Sequence, residues 1–400
     1  MPLNVLYLQH VGAFGGSSKS MFEMIKAFPE KTVHPYLISP VGSVNKYASE
    51  LRIENLATVG ISQFDNSRHG HYRNFRWLIL LREIFYLPFT FLILLKARRS
   101  WKNIDIIHIN EITMLPGLLI CRMLFKQPIV LHCRTLFHNV SGFRRKIFTD
   151  IVKKNVALVI AIDETVKKTL PKELSPIVVH NGFDPRKLVI EEKEKTPQMR
   201  SGRFSVAMVG SLIRYKGVHE FIESAAICKE KQLSIDFLLI GDAPKSKKGL
   251  SQKVKRWLGL EHNIREELVN MIEEKGLKDY VRFVPFTTNV KEIYDAIDVL
   301  CFPSHLNAAG RPVFEAAYSR VPSIVAIDNP DNDTIMDGIT GLCIKPKDSM
   351  ALANAIAFFY NNPEQVKKMG EQAYLLAVNN FDSNKNALEV LDIYKSLIKN

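Results

Sequence analysis

Residues 203–221 read RFSVAMVGSLIRYKGVHEF. A short β-branched apolar run stops at Gly210, a polar turn carries Arg214 and Lys216, and a helical pattern follows. Strand, glycine turn and helix in that order form one step of a parallel sheet covered by helices. Downstream the step recurs, with strand candidates IDFLLIGD, VRFVPF, VLCFPS, PSIVAI and GLCIKP. Upstream it has already run once, through LNVLYL, HPYLIS, IDIIHI, PIVLHC and VALVIAI. Between the two series lies KLVIEEKEKTPQMRSGR (187–203), charged and without periodicity, which reads as a linker.

The expectation is therefore an α/β chain of two doubly wound, Rossmann-like parallel-sheet domains facing a central cleft. Residues 1–186 form the first domain and 204–379 the second. An amphipathic closing helix at about 380–400 can pack back on the first. A length of 400 residues suits two cores better than one.

Composition narrows the class. Hydrophobic residues at 46% and charged residues at 24% are ordinary for a globular chain. The net charge of +13 is not, and it points to phosphate-bearing partners: nucleic acid, anionic lipid or a nucleotide-linked substrate. Five scattered cysteines form no Cys-x-x-Cys pair, which argues against a disulfide framework or a zinc site and for a reducing cytoplasm. The N-terminal LNVLYL is too short for the apolar core of a signal peptide.

WLILLREIFYLPFTFLILL (77–95) is nearly long enough to span a bilayer. Arg82, Glu83 and Pro88 interrupt it, and each central charge costs about 2.5–3.5 kcal/mol on insertion. Basic residues flank it: Arg68, Arg73 and Arg76 before, Lys96, Arg98, Arg99 and Lys102 after. A helix lying on an anionic membrane face and a core helix of the first domain both fit. A lysine-rich insertion, APKSKKGLSQKVKRWLGLEHN, reads as a solvated loop or a second such patch.

Ligands of open α/β sheets bind where strands end. HVGAFGGSSKS follows the first strand, and Gly15 and Gly16 allow backbone amides near an anion at a helix N-terminus. It is not Gly-x-Gly-x-x-Gly, so a dinucleotide dehydrogenase is disfavoured. In LNAAGRPVFEAAYS, Gly310 precedes a helix whose early turns carry Glu315, a carboxylate placed to accept both hydroxyls of a ribose.

The ordered series Gly-Gly-Ser-Ser, Asp-Ile-Ile-His, His-Asn-Gly-Phe-Asp, Val-Gly-Ser-Leu-x-x-x-Lys-Gly, Ile-Gly-Asp-Ala-Pro and Gly-Arg-Pro-Val-x-Glu-Ala resembles the retaining family-4 glycosyltransferases of the GT-B fold. The likeness runs through essentially the whole chain. It implies that a nucleotide-diphosphate-sugar donor lies mostly on the second domain. There Lys216 matches the lysine that holds the diphosphate, and Glu315 matches the second glutamate of Glu-x7-Glu, on the ribose. Gly310, Arg311, Pro312 and Val313 match a loop contacting the donor, Phe286 the cradle of the base, and Gly15 with Gly16 a loop over the phosphates.

Three positions depart from the pattern. Asn307 replaces the first glutamate of Glu-x7-Glu. Ser211 replaces an arginine whose charge Arg214 can supply. Within LHCRTLFH the family histidine aligns with Arg134, while His132 stands two residues earlier on the same side of the strand. A lone strand histidine is more often a satisfied core residue than a catalytic one. The resemblance further implies front-face attack by an acceptor hydroxyl, with Lys216 and Arg214 stabilising the leaving group. It calls for no cofactor and no metal. Asp331-Asn332-Asp333 looks like a metal motif, but in the family this strand-to-helix loop contacts the sugar, so Asp333 reads as a donor contact.

The expected activity is hexosyl transfer to a lipid-linked or cell-envelope polysaccharide acceptor, at the inner face of the cytoplasmic membrane. Asn307 and Ser211 keep open a nucleotide-sugar-binding protein that has lost turnover. A sugar-nucleotide epimerase ranks below both, and nucleic-acid binding has charge alone in its favour.

Overall fold

The computed structural model describes residues 1–66, 77–138, 142–188, 202–242, 264–285, 287 and 289–399. Phe286, most of the 187–203 linker and the 243–263 insertion lie outside the described residues.

Along the first part of the chain run strands β1 (Leu3–Leu8), β2 (Val33–Pro40), β3 (Glu54–Thr58), β4 (Ile106–Ile109), β5 (Ile129–Cys133), β6 (Leu158–Ala161) and β7 (Ile177–Val178). Helices α1 (Gly16–Ala27), α2 (Ser43–Glu50), α3 (Trp77–Ser100), α4 (Leu115–Leu124), α5 (Gly142–Asn155) and α6 (Glu164–Thr169) alternate with them. The second series comprises β8 (Phe204–Val209), β9 (Ile235–Ile240), β10 (Val281–Val284), β11 (Val299–Phe302), β12 (Ser323–Ala326) and β13 (Gly341–Ile344). Its helices are α7 (Val218–Glu230), α8 (Ile264–Glu274), α9 (Val290–Asp295), α10 (Arg311–Tyr318), α11 (Ser349–Asn361) and α12 (Pro363–Asn380). The chain ends in α13 (Ser383–Lys399).

Two compact units result: residues 1–183 with 382–400, and residues 184–381. The first holds a sheet of order β3-β2-β1-β4-β5-β6-β7 and the second one of order β10-β9-β8-β11-β12-β13. Every pairing is parallel. The strand order of each sheet reverses once, beside β1 and β4 in the first and beside β8 and β11 in the second. Ligand sites of doubly wound sheets open at that reversal, beyond the strand C-termini.

The first sheet is buried on both faces, and period-2 alternation sorts its side chains. Leu6, Leu8, Ile107, Ile109, Leu131 and Cys133 meet Leu94, Ala97, Leu118, Cys121, Phe148 and Val152 of α3, α4 and α5. Val5, Tyr7, Ile106, Val130 and Ile160 face the other way, against Met21 and Phe22 of α1, Val44 of α2, and Val390 and Tyr394 of α13. The closing helix thus completes one layer of the first unit.

Four sequence expectations are corrected here. Two first-unit strands, β3 and β7, were hidden from the hydrophobic pattern: ENLAT opens on two adjacent polar residues and has no apolar alternation, and the other pairs over only two residues. Asp331–Asp333 lies in a loop joining β12 directly to β13, not a strand-to-helix loop. The core-helix reading of 77–95 holds for one side only: Glu83, Thr90, Ile93 and Leu94 are buried against the first unit, but in the apolar stretch of α3 only 17% of residues are buried. Finally, α3 runs on to Ser100 and takes in the basic cluster at 96–99.

Candidate functional site

Each unit builds its polar residues around its sheet reversal. In the second unit, Ser211, two residues past β8, is exposed, and a 3-10 turn spans Arg214–Lys216. Gly217 closes that turn at φ +83°, and a Cβ there would fall 1.9 Å from the carbonyl oxygen of Pro303. Only glycine allows the turn to press against the end of β11.

The turn leaves Lys216 half-buried, with Nζ 5.2 Å from the centroid of the Phe302 ring. No carboxylate pairs with it among the described residues, and burial pushes its ammonium below the usual lysine range. A desolvated cation over an aromatic face is partly compensated by the ring and best compensated by an anion. Arg214 behaves differently. Its side chain is 74% exposed, and Nη1 lies 3.7 Å from Glu267 Oε1, a carboxylate that His219 Nε2 approaches to 2.8 Å.

The loop after β11 carries Asn307 at φ +53°, a left-handed position that asparagine tolerates. Its Oδ1 accepts from the Asp328 amide at 2.6 Å, so this side chain pins the loop after β12. Gly310 precedes α10, and Arg311, Pro312 and Val313 form the first turn of that helix. Glu315 is 5% exposed. Arg311 Nε donates to its Oε1 at 2.6 Å and Tyr294 Oη to its Oε2 at 3.2 Å. The cost of burying this carboxylate is thus met inside the protein by an i,i+4 arginine and a phenol. A carboxylate offers about four acceptor positions in all. Asp333 contributes its carbonyl to Asn380 Nδ2 at 2.9 Å.

In the first unit, Gly15 and Gly16 open α1, and no heavy atom lies within 4 Å of where their Cβ atoms would stand. Arg134, just past β5, is 8% exposed. Its Nε donates to Asn110 Oδ1 at 2.6 Å and its Nη1 to Asn181 Oδ1 at 2.5 Å. Asn110 in turn donates to Gln9 Oε1, so the ends of β1, β4 and β5 share one polar network. Arg134 and His132 also line a pocket with Asn181 and, from α13, Ser383 and Asn386.

Arginine has no acceptor, and this orders the protons behind it. Arg134 Nη2 meets His132 Nδ1 at 3.4 Å, which makes Nδ1 an acceptor. His108 Nε2 must then donate to that atom, 3.2 Å away. His108 Nδ1 consequently accepts from Tyr394 Oη at 2.7 Å, and Tyr7 Oη donates to Tyr394 Oη at 3.1 Å. Burial first, and the Arg134 charge second, hold both imidazoles well below the usual histidine range, so both are neutral. His132 Nε2 is the donor left over, with no partner among the described residues.

Three side chains of these sites escaped the sequence reading. Glu111 follows Asn110 and is 1% exposed; its Oε1 accepts from the Ile112 amide at 2.7 Å and Thr135 Oγ1 at 3.0 Å. Burial raises its carboxyl to about 7, with Arg134 pulling the other way. The polar pair after IDIIHI was the visible signal, because buried polar residues immediately after an apolar strand need a reason. Phe302 and Tyr294 gave no such signal, being ordinary core aromatics by pattern.

Comparisons with known proteins agree across both units. Residues 189–376 match the family of glycosyl transferases group 1, and residues 14–187 match glycosyltransferase family 4. The capsular polysaccharide biosynthesis glycosyltransferase CapM of Staphylococcus aureus is 25% identical over 277 residues, 65% of this chain and 68% of CapM. The alpha-D-kanosaminyltransferase of Streptomyces kanamyceticus is 24% identical over 194 residues, 48% of this chain and 45% of its own. Among solved structures, Anabaena HepE in complex with UDP superposes with TM-score 0.73 at 18% identity, covering 98% of this chain and all of HepE. At that identity the likeness establishes the fold, two parallel-sheet Rossmann-like domains of the GT-B type.

Proposed function

Since the chain belongs to the group 1, family 4 glycosyltransferases, we propose that it moves a hexose from a nucleoside-diphosphate-sugar to a hydroxyl of a lipid-linked or envelope glycan, with retention of anomeric configuration and without a metal ion. The observation that carries the donor class is Lys216, a half-buried cation with no carboxylate partner among the described residues, at the end of β8 beside the sheet reversal. The acceptor class draws on CapM, named for capsular polysaccharide biosynthesis. HepE, known with UDP and with UDP-glucose, makes uridine diphosphate the first base to try.

In this reading the acceptor oxygen forms the new bond to the anomeric carbon as the bond to the diphosphate oxygen breaks. The hydroxyl proton passes to that departing oxygen on the same face. Lys216 offsets the charge that develops on the diphosphate, a role worth about 2.7–4 kcal/mol for a preorganised donor. Glu315 accepts the ribose hydroxyls, its orientation fixed by Arg311 and Tyr294. Ser211, Asn307, Gly310–Val313 and Asp333 contact the donor, and Gly15 and Gly16 the phosphates. Arg134, fixed by Asn110 and Asn181, contacts donor or acceptor, with His132 behind it.

A thermal-shift panel of UDP, GDP, ADP and CMP with their sugar conjugates tests the donor. Saturation at 100 times Kd adds about 2.7 kcal/mol of stability. Glu315→Gln serves better than alanine, because it keeps a partner for Arg311. A shift with one nucleotide, diminished in Glu315→Gln, fixes the donor; no shift with any of them ends this reading. NMR of the product anomeric signal then reads retention, and activity in EDTA reads metal independence. Binding without turnover on lipid-linked or glycan acceptors would leave the alternative of a nucleotide-sugar-binding protein.

A further inference from the structure

The layer of α3, α4 and α5 that covers one face of the first sheet has an unusual outer surface. On α3, Trp77, Leu81, Ile84 and Phe85 are each at least half exposed. Met123 on α4 and Phe143 on α5 are 66% and 76% exposed. Apolar side chains this dense on one layer mark a contact surface rather than the scattered exposure that any surface shows.

The exposed charges around them are overwhelmingly basic. Lys96, Arg98 and Arg99 are exposed at the end of α3, and Arg144, Lys146 and Lys153 along α5. Across all three helices the acids are Glu83, buried and held by Arg82 and the Gln63 amide, and Asp150. The opposite layer is a built-in contrast. There α2 and α13 mix exposed Lys46, Lys395 and Lys399 with exposed Glu50, Glu389 and Asp392.

We propose that the α3–α4–α5 face docks this protein on an anionic lipid bilayer, as a peripheral protein on the cytoplasmic leaflet. The aromatic and aliphatic side chains enter the headgroup–acyl boundary, and the basic ends of α3 and α5 meet lipid phosphates. Charge complementarity selects lipid over a second copy of the chain, because two such faces would oppose like charges. Lying is preferred to spanning because α3 is stitched into its own unit. Its Glu83 accepts from the Gln63 amide at 2.7 Å, its Thr90 Oγ1 accepts from the Ser62 amide at 2.9 Å, and Ile93, Leu94 and Ala97 are buried in the core. Insertion across a bilayer would break all of these. The surface goes beyond the transfer reaction proposed above and stands or falls without it.

The test is co-sedimentation of the full chain with phosphatidylcholine vesicles with and without phosphatidylglycerol, in the absence of any sugar donor. Docking predicts binding to the anionic vesicles that weakens as salt rises, with a blue shift of Trp emission that disappears in Trp77→Phe. Leu81→Gln with Phe85→Gln, and separately Arg98→Gln with Arg99→Gln and Arg144→Gln, should each lower partitioning about tenfold or more. Both sets are exposed positions, so unchanged thermal unfolding shows that the variants fold. Equal binding to neutral vesicles, resistance of membrane-bound protein to high salt and carbonate, or self-association through the same face with no vesicle binding would each overturn the proposal.

Discussion

Lys216 and Gly310 are joined through a single ring. The Lys216 ammonium stands 5.2 Å from the centroid of Phe302, and a Cβ on Gly310 would fall 2.3 Å from Cζ of the same ring. The turn after β8 and the loop before α10 are therefore positioned against one side chain at the end of β11. What moves that ring moves both.

Replacing Lys216 by Met keeps the apolar stem and removes the charge. A charge-assisted contact to a diphosphate is worth about 1.5–3 kcal/mol. Nucleotide affinity should fall roughly 10- to 150-fold, read by isothermal titration with UDP or whichever nucleotide the panel selects. Thermal unfolding without ligand should be unchanged or slightly higher, because a desolvated ammonium is gone. An unliganded protein that unfolds markedly earlier would assign Lys216 to the fold instead.

Gly310→Ala should cost about 1–3 kcal/mol, the usual penalty for forcing extra volume into a packed site. The backbone there, at φ −116°, accepts any residue, so the penalty is steric and comes from Phe302. Phe302→Leu in the same chain should recover part of it. Urea unfolding of the two single variants and the double variant would show a coupling of opposite sign to the alanine penalty. Simple additivity would mean that the ring is not the obstacle.

How much of this was legible in the residues follows from what each one does. Every second-unit strand announced itself as a short, mainly apolar run, since strands covered on both faces carry few polar positions to blur it. β3 did not, because ENLAT is at the sheet edge and mostly half-exposed. Lys216 and Glu315 stood out by charge beside glycine turns. Their surroundings did not: the Arg311 and Tyr294 bonds to Glu315, and Glu267 beside Arg214, are tertiary facts with no local signature. Asn307 was visible as a departure from a motif, while its bond to the Asp328 amide was not.

Glu111 gives a pH prediction whose sign runs against the ordinary acid case. Burial raises its carboxyl from the usual carboxylate range to about 7, so the folded chain binds a proton more readily than the unfolded one. Its contribution is then fully present below about pH 4.3 and is lost as pH rises through about 7. Glu111→Gln should remove that loss. The stability difference between the variant and the natural chain should grow by about 2–3 kcal/mol in favour of glutamine from pH 4.5 to pH 8. His108 and His132, held neutral, destabilise at low pH in both proteins and cancel in the difference. A flat difference across that range would show an ionised Glu111 throughout.

The proton order set by Arg134 predicts an asymmetry between two tyrosines. Tyr394 Oη donates to His108 and accepts from Tyr7, whereas Tyr7 Oη only donates to Tyr394. Tyr394→Phe leaves the His108 acceptor and the Tyr7 donor buried without partners, at about 1–3 kcal/mol each. Tyr7→Phe strands no acceptor that lacks another donor, so it should cost about 1 kcal/mol. The double variant should be milder than the sum, because the Tyr7 hydroxyl that Tyr394→Phe strands is no longer there. Nitrogen-15 spectra of the histidines supply a readout that mere packing would not move. His108 and His132 should both carry their proton on Nε2 in the natural chain, and His108 should keep it there in Tyr394→Phe, because His132 Nδ1 still needs a donor. A natural chain with either proton on Nδ1 would reverse the order and remove Arg134 as its source.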